Sequence, residues 1–272
     1  MSLTLVVTLL ILGGLGGFAA GLLGVGGGVL LFPLLFYIPP LLGLESLDAK
    51  TVAAVVVSQV FFSTVVGGAA HWRSGRVHPR LTLVGGLSAT AGSFLGGVGS
   101  KWVSEWFLLL LFGMVTLSAA AMMFLPGPSA EQELRPVGEV TVPVVSLSIL
   151  SCLTGVVVGF LGAGNFLFVP LLIYVLKVPT RITIGSNLVI AVASTFSGFL
   201  GKLLTGQEKS KSNFLIILVG LCGGVVAFLL HSFFDTNLYS FQLSLNFWFF
   251  IGLILSIHRL LKESPLYGIK AQ

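Results

Sequence analysis

Charge is the scarcest property of this sequence. Asp, Glu, Lys and Arg together make up 8% of its 272 residues, against roughly a quarter in an ordinary soluble domain. A water-soluble globule of this length is thereby excluded. The charge that is present leans positive, 14 Lys and Arg against 9 Asp and Glu, but it is dispersed over short polar stretches between apolar runs. Basic residues so placed report membrane topology, and no nucleic acid is expected as a partner. There are only two cysteines, Cys152 and Cys222, and four histidines, His71, His78, His231 and His258. Each cysteine sits inside an apolar run and reads as an inert buried thiol, and no residue spacing suits a metal. No serine–histidine or paired-aspartate arrangement lies within the apolar runs, so neither an enzyme nor a cofactor is expected. Glu45, Asp48, Glu105, Asp235 and the other acids fall near segment ends, which leaves no mid-membrane carboxylate for proton coupling. A basic region is also missing ahead of the first apolar stretch, so that stretch is expected to stay in the membrane rather than be cleaved as a signal peptide.

What the chain has in abundance is apolar length and glycine: 56% hydrophobic residues, a mean hydropathy of +1.07 and 35 glycines. Uncharged runs of about 18 residues or more recur throughout, the mark of a polytopic membrane protein. The runs are continuous rather than short and alternating, which excludes a β-barrel. The expected fold class is therefore all-α and polytopic. In order, the pieces are two apolar arms at 3–20 and 25–44, spans at 52–70, 81–99 and 103–125, and a polar linker at 126–139. The pattern then restarts with arms at 140–160 and 166–176 and spans at 182–204, 214–233 and 241–257. Basic residues gather in the loop 71–80 and again at Lys202, Lys209 and Lys211. Trp102 and Trp106 sit where the membrane–water interface is expected. The domain reading is a first transmembrane repeat at 1–125, the linker at 126–139 and a second repeat at 140–272.

One stretch organises both repeats. Residues 21–37 read GLLGVGGGVLLFPLLFY, and residues 159–174 read GFLGAGNFLFVPLLIY, the same pattern with one glycine deleted. Glycine costs about 1 kcal/mol relative to alanine in a helix interior, and an unwound backbone in lipid must be met by protein or by a water-filled cavity. Each stretch is read as a broken helix pair or re-entrant hairpin. If each crosses the membrane once, the repeats are parallel, and the division of Lys and Arg between the two sides favours this. If each is a hairpin without net crossing, the repeats are inverted, and the length of the first apolar segment, enough for two passes, favours that. The reading adopted is hairpins and an inverted repeat.

A half-helix that begins at a glycine break points free N–H groups and a positive dipole end at whatever lies beyond it. Gly24, Gly26, Gly27 and Gly28 in the first copy, and Gly162, Gly164 and Asn165 in the second, are thus candidate ligands for a small anion. The competing account is that these glycines only let helices pack closely. A nucleotide loop is excluded, since no strand precedes the glycines and no P-loop lysine follows. A second duplicated feature, Ser58–Gln59 and Ser186–Asn187, places a hydroxyl and an amide in the span after each break. These pairs either donate neutral hydrogen bonds to the anion or bond between helices. The loop bearing His71, Arg73, Arg76, His78 and Arg80 either gathers anions at a vestibule or serves only as a topology signal.

GFAAGLLGVGGGVLLFPLLF, its second copy TGVVVGFLGAGNFLFVPLLIY and the HWRSGRV loop resemble the TauE/SafE family of membrane proteins, exporters of sulfite and organosulfonates. The resemblance covers nearly the whole chain. It departs at Asn165 and Phe166, where a fully glycine-rich run is expected, so the two half-sites are not equivalent. The resemblance implies a secondary transporter moving a small anionic substrate, such as sulfite or sulfoacetate, outward by alternating access. A passive anion channel is the alternative, followed by a membrane-embedded enzyme or assembly factor. The expected setting is the bilayer of a bacterial inner membrane, and the wealth of small residues permits a homodimer.

Overall fold

The structure, a computed structural model, describes residues 3–206 apart from 24–26, 123 and 128. The expected spans at 214–233 and 241–257, with Cys222, His231, Asp235, His258, Lys209 and Lys211, lie outside the described residues. The described chain is helical throughout, in keeping with its continuous apolar runs. Helix α1 covers Leu3–Leu23, α2 Gly27–Leu41, α3 Ala49–Arg73, α4 Pro79–Gly99 and α5 Glu105–Met122. A short α6, Ala130–Glu133, lies in the linker. Then come α7 at Val144–Leu161, α8 at Asn165–Pro170 with a π turn at Leu171–Val175, and α9 at Thr180–Leu204. Among the described residues, α3, α5, α7, α9 and the segment Pro79–Trp102 are long and apolar enough to cross a membrane.

Helix α3 is the central column. Every residue from Thr51 to Val60 is buried, as expected of a helix that is apolar on all sides. Asp48 fixes its start by accepting from the Thr51 amide at 3.3 Å and from the Thr51 hydroxyl. Glu105, at the head of α5, accepts from the amide of Ala49 at 2.5 Å. These two carboxylates satisfy first-turn N–H groups and complement the helix dipole.

Packing is set by small residues. Helix α4 is wedged between α7 and α9, and its backbone touches theirs. A Cβ built on Gly92 would lie 2.1 Å from the carbonyl oxygen of Cys152, and one on Gly96 2.2 Å from that of Val156. The relation is reciprocal: a Cβ on Gly155 would meet the Ala89 carbonyl oxygen at 2.3 Å, and one on Gly159 that of Ser93 at 2.2 Å. On the other flank, Gly97 abuts the carbonyl of Gly198, and the Ser197 hydroxyl donates to the Thr90 carbonyl at 2.9 Å. In lipid there is no hydrophobic drive between helices, so this close approach is what holds them. The parts of the chain before and after the linker consequently interlock, with α4 seated against α7 and α9.

Direction follows from the same contacts. Gly85, Gly92 and Gly96 of α4 meet Ser151, Cys152 and Val156 in ascending order, so α4 and α7 run parallel. Helices α3 and α9 run antiparallel: Phe61 stacks near Phe196, with centroids 5.7 Å apart, while Gly67 meets Leu188. The return through α8 brings the chain back to the end where α7 began. There Glu133 of the linker accepts from the Thr180 amide at 3.0 Å, and the Ser186 hydroxyl accepts from the His78 amide at 2.9 Å. The α7–α8 pair is thus a hairpin without net crossing.

Two expectations need correction. Lys202, read from sequence as a loop residue, lies inside α9 with 0% exposure. Its ammonium donates to the Ser100 hydroxyl and to the Phe160 carbonyl, each at 3.1 Å. A lysine at the end of an apolar run resembles a loop marker, yet here it ties together the ends of α4 and α7. His78, weighed from sequence with the rest of its loop as a vestibule residue or a topology signal, is likewise not an exposed loop residue. It is buried, Nδ1 accepts from the Leu81 amide at 3.1 Å, and Nε2 lies 3.0 Å from the Val140 carbonyl. Trp102 and Trp106 are 72% and 71% exposed, as interface anchors should be.

Candidate functional site

The site is built where the two broken-helix motifs meet. Helix α7 ends at Gly162, whose φ of 71° is left-handed and whose N–H returns to the Val158 carbonyl at 2.7 Å. Glycine adopts that conformation without the Cβ penalty other residues incur. The same glycine presses on the central helix: a Cβ there would lie 2.1 Å from the Ala53 carbonyl oxygen and 2.7 Å from the Val57 nitrogen. Gly164 precedes α8 as its N-cap, and its added Cβ would stand 2.8 Å from the Val158 nitrogen. Ala163, between them, meets the other motif. A Cβ on Gly28, the second residue of α2, would fall 2.3 Å from the Ala163 Cβ and 3.3 Å from Val56 Cγ1.

Gly28, Gly162 and Gly164 therefore have a definite packing role, each closed in by protein. Gly24 and Gly26 lie outside the described residues, and Gly27 is the first residue of α2. Prolines follow each break, Pro33 inside α2 and Pro170 inside α8. Proline cannot donate to the i−4 carbonyl and its ring crowds that turn, and after Pro170 the helix widens into the π turn.

The duplicated polar pairs fare differently from one another. The Ser58 hydroxyl donates to the Ala54 carbonyl in its own helix at 2.9 Å, and the Ser186 oxygen is occupied by the His78 amide. The carboxamides reach the broken helices instead. Gln59 Nε2 donates to the Gly13 carbonyl of α1 at 3.1 Å, and Asn187 Nδ2 donates to the Asn165 carbonyl of α8 at 3.4 Å. With their nitrogens so placed, the amide orientations are fixed and the oxygens are left over. Gln59 Oε1 and Asn187 Oδ1 are buried without a hydrogen-bond partner, and so is Nδ2 of Asn165. Gln59 is 2% exposed and Asn187 7%. A buried polar atom left unpaired costs about 1–3 kcal/mol; the Thr82, Ser93, Thr116 and Ser151 hydroxyls share that state, and these three are the carboxamide atoms among the described residues that do.

Arg73, Arg76 and Arg80 are exposed at the end of the bundle where α4 begins. Arg76, Arg135 and Arg181 line a cavity of about 240 Å³ there, together with Glu133, which is already engaged by Thr180. Among the described residues no group of three or more His, Cys, Asp and Glu side chains is placed to hold a metal ion. The sequence reading missed Lys202 and the trans cap by Glu133. The small residues around each, such as Ser100 and Thr180, were the available hints.

Interlocked apolar helices, five of them among the described residues long and apolar enough to cross a membrane, define a polytopic membrane protein. The chain matches the family described as sulfite exporter TauE/SafE over residues 9–257, and it belongs to that family. It is 35% identical over 178 residues to a "Probable membrane transporter protein" of Xylella fastidiosa strain 9a5c, covering 65% of this chain and 66% of the relative. A protein of the same description from Xylella fastidiosa strain Temecula1 is 36% identical over 184 residues, 67% of each chain. "Probable membrane transporter protein YdhB" of Bacillus subtilis is 24% identical over 218 residues, 77% of this chain and 84% of the relative. The chain thus spans about two thirds of the length of the two Xylella relatives it matches. No solved structure matches. Family and relatives indicate a membrane transporter and not an enzyme.

Proposed function

We propose that this protein is a secondary transporter that moves a small oxyanion, sulfite or an organosulfonate, outward across a bacterial inner membrane by alternating access. The observation that carries the reading is the contact of Gly28 with Ala163, beside which Asn165 holds an unpaired amide donor in the protein interior. A neutral site of amides and helix starts holds an anion without burying a fixed cation against it. The family description supports the substrate class, since it is a sulfite exporter family.

Alternating access suits an inverted repeat, and that is the arrangement we propose for the two halves. The equivalent helices α3 and α9 are antiparallel, and the α7–α8 hairpin returns to the side it left. The partners proposed are the small anion and the lipid bilayer, with a homodimer as the oligomer to look for. The deciding experiment is tracer flux in proteoliposomes against a panel of sulfite, sulfoacetate, other alkanesulfonates and carboxylates. Accumulation of sulfite or a sulfonate against its electrochemical gradient is the expected result. Purely downhill movement would make the protein a passive anion channel, and no movement of any anion would overturn the reading.

A further inference from the structure

Asn165 and Asn187 leave two unlike buried atoms unpaired, a donor on the one and an acceptor on the other. We propose that Asn187 is a specificity-determining residue that selects anions carrying their own hydrogen-bond donor. Hydrogen sulfite would thus be preferred to the sulfite dianion, and hydroxyalkanesulfonates to the unsubstituted ones. This rests on the anion-transport reading of the same site and specifies its substrate more narrowly.

Asn187 and Asn165 come from adjacent elements, and the 3.4 Å bond from Asn187 Nδ2 to the Asn165 carbonyl brings the Asn187 carboxamide up to the start of α8. That bond determines which end of Asn187 is left over. The nitrogen faces the backbone, so the unpaired atom is Oδ1, an acceptor, while the unpaired atom of Asn165 is Nδ2, a donor. A fully deprotonated oxyanion pairs with the donor and is repelled by the acceptor. An anion with an O–H or N–H group satisfies both, so neither buried atom remains unpaired. The first repeat lacks this combination. Gln59 repeats the leftover acceptor, with its nitrogen on the Gly13 carbonyl, but glycines stand where the second repeat has Asn165. Among the described residues the complementary pair is therefore the one formed by Asn165 and Asn187.

The test compares ethanesulfonate, 2-hydroxyethanesulfonate and 3-hydroxypropanesulfonate, all monoanions, as competitors for flux and as ligands of the purified full chain. The wild type is expected to bind the two hydroxy compounds at least about fivefold more tightly than ethanesulfonate, the lower end of what an unpaired buried acceptor loses. In Asn187→Leu the preference should fall within twofold, with ethanesulfonate still bound. Asn187→Met, which keeps the chain length, provides the same comparison should the leucine variant fold poorly. Equal binding of all three by the wild type overturns the proposal while leaving anion transport standing. A preference that survives in both variants overturns the assignment to Asn187. Binding of none of the three, with sulfite also rejected, removes the anion reading itself.

Discussion

Gly28 of α2 and Ala163 at the α7–α8 break approach so closely that a Cβ on Gly28 would lie 2.3 Å from that of Ala163. No side chain larger than hydrogen fits between α2 and the second break unless one of them moves. Gly28→Ala is therefore expected to destabilise the protein by about 1–3 kcal/mol through overpacking. Gly113 of α5 has nothing within 4 Å of an added Cβ, so Gly113→Ala should leave the melting temperature in detergent unchanged or raise it slightly. Equal melting of the two variants would show that α2 yields freely and that the contact is not rigid.

The α4–α7 interface offers a comparison within one helix. Gly92 faces the Cys152 carbonyl oxygen at 2.1 Å from a built Cβ, whereas Gly86, although buried, has no atom of the described residues within 4 Å of an added Cβ. Gly92→Ala must push α4 off α7 and is expected to lower yield of folded protein and melting temperature sharply. Gly86→Ala should fold at least as well as the wild type, because alanine is the better helix former by about 1 kcal/mol. Size-exclusion profiles and thermal melts of both variants check this. A Gly92→Ala variant that behaves like Gly86→Ala would mean that the backbones are not in contact.

The helical content was legible because continuous apolar runs leave the chain little else to form in lipid. The run read as 182–204 becomes α9 at Thr180–Leu204, and 81–99 becomes α4 at Pro79–Gly99. Partner choice was not legible. The stripe Gly85, Ala89, Gly92, Gly96 announces a close-packed face, but nothing in it says that α7 rather than a nearer neighbour in sequence lies against it. The polar positions Gln59, Asn165 and Asn187 could be picked out as amides in apolar surroundings. Which of their atoms would be left unpaired depends on Gly13 and on the Asn165 carbonyl, contacts that only the fold creates. Lys202 was misread for a related reason: its burial depends on Ser100 and Phe160, both distant in sequence.

Removal of the Lys202 ammonium leaves the Ser100 hydroxyl and the Phe160 carbonyl each without that donor. Lys202→Met, which preserves the aliphatic stem, is expected to cost about 1–3 kcal/mol. Lys202→Ala should cost more, since it also opens a cavity at a fully buried position. Replacing a buried charge with an apolar side chain is sometimes stabilising, so the comparison is informative in both directions. A Met variant that melts at or above the wild-type temperature would show that the lysine is kept for something other than tying α4 to α7.

The last prediction separates the two places where an anion could be held. Arg73, Arg76 and Arg80 are exposed, and their field is screened beyond about 8 Å at physiological ionic strength. Replacing all three with glutamine should slow capture at low salt, have little effect at high salt, and leave binding intact once the anion is saturating. Asn165 acts at contact distance from an interior position, where added salt does not reach. Asn165→Leu removes the unpaired Nδ2 donor, and losing a hydrogen bond to a charged group costs about 1.5–3 kcal/mol. Its affinity for sulfite should therefore fall roughly 10- to 150-fold at every salt concentration, by the conversion of about 1.4 kcal/mol per factor of ten. Equilibrium binding of sulfite to both variants across a salt series distinguishes the cases. If the triple arginine variant loses binding at all salt concentrations while the Asn165 variant keeps it, the anion is held at the exposed end of α4, and the site between the two breaks is wrong.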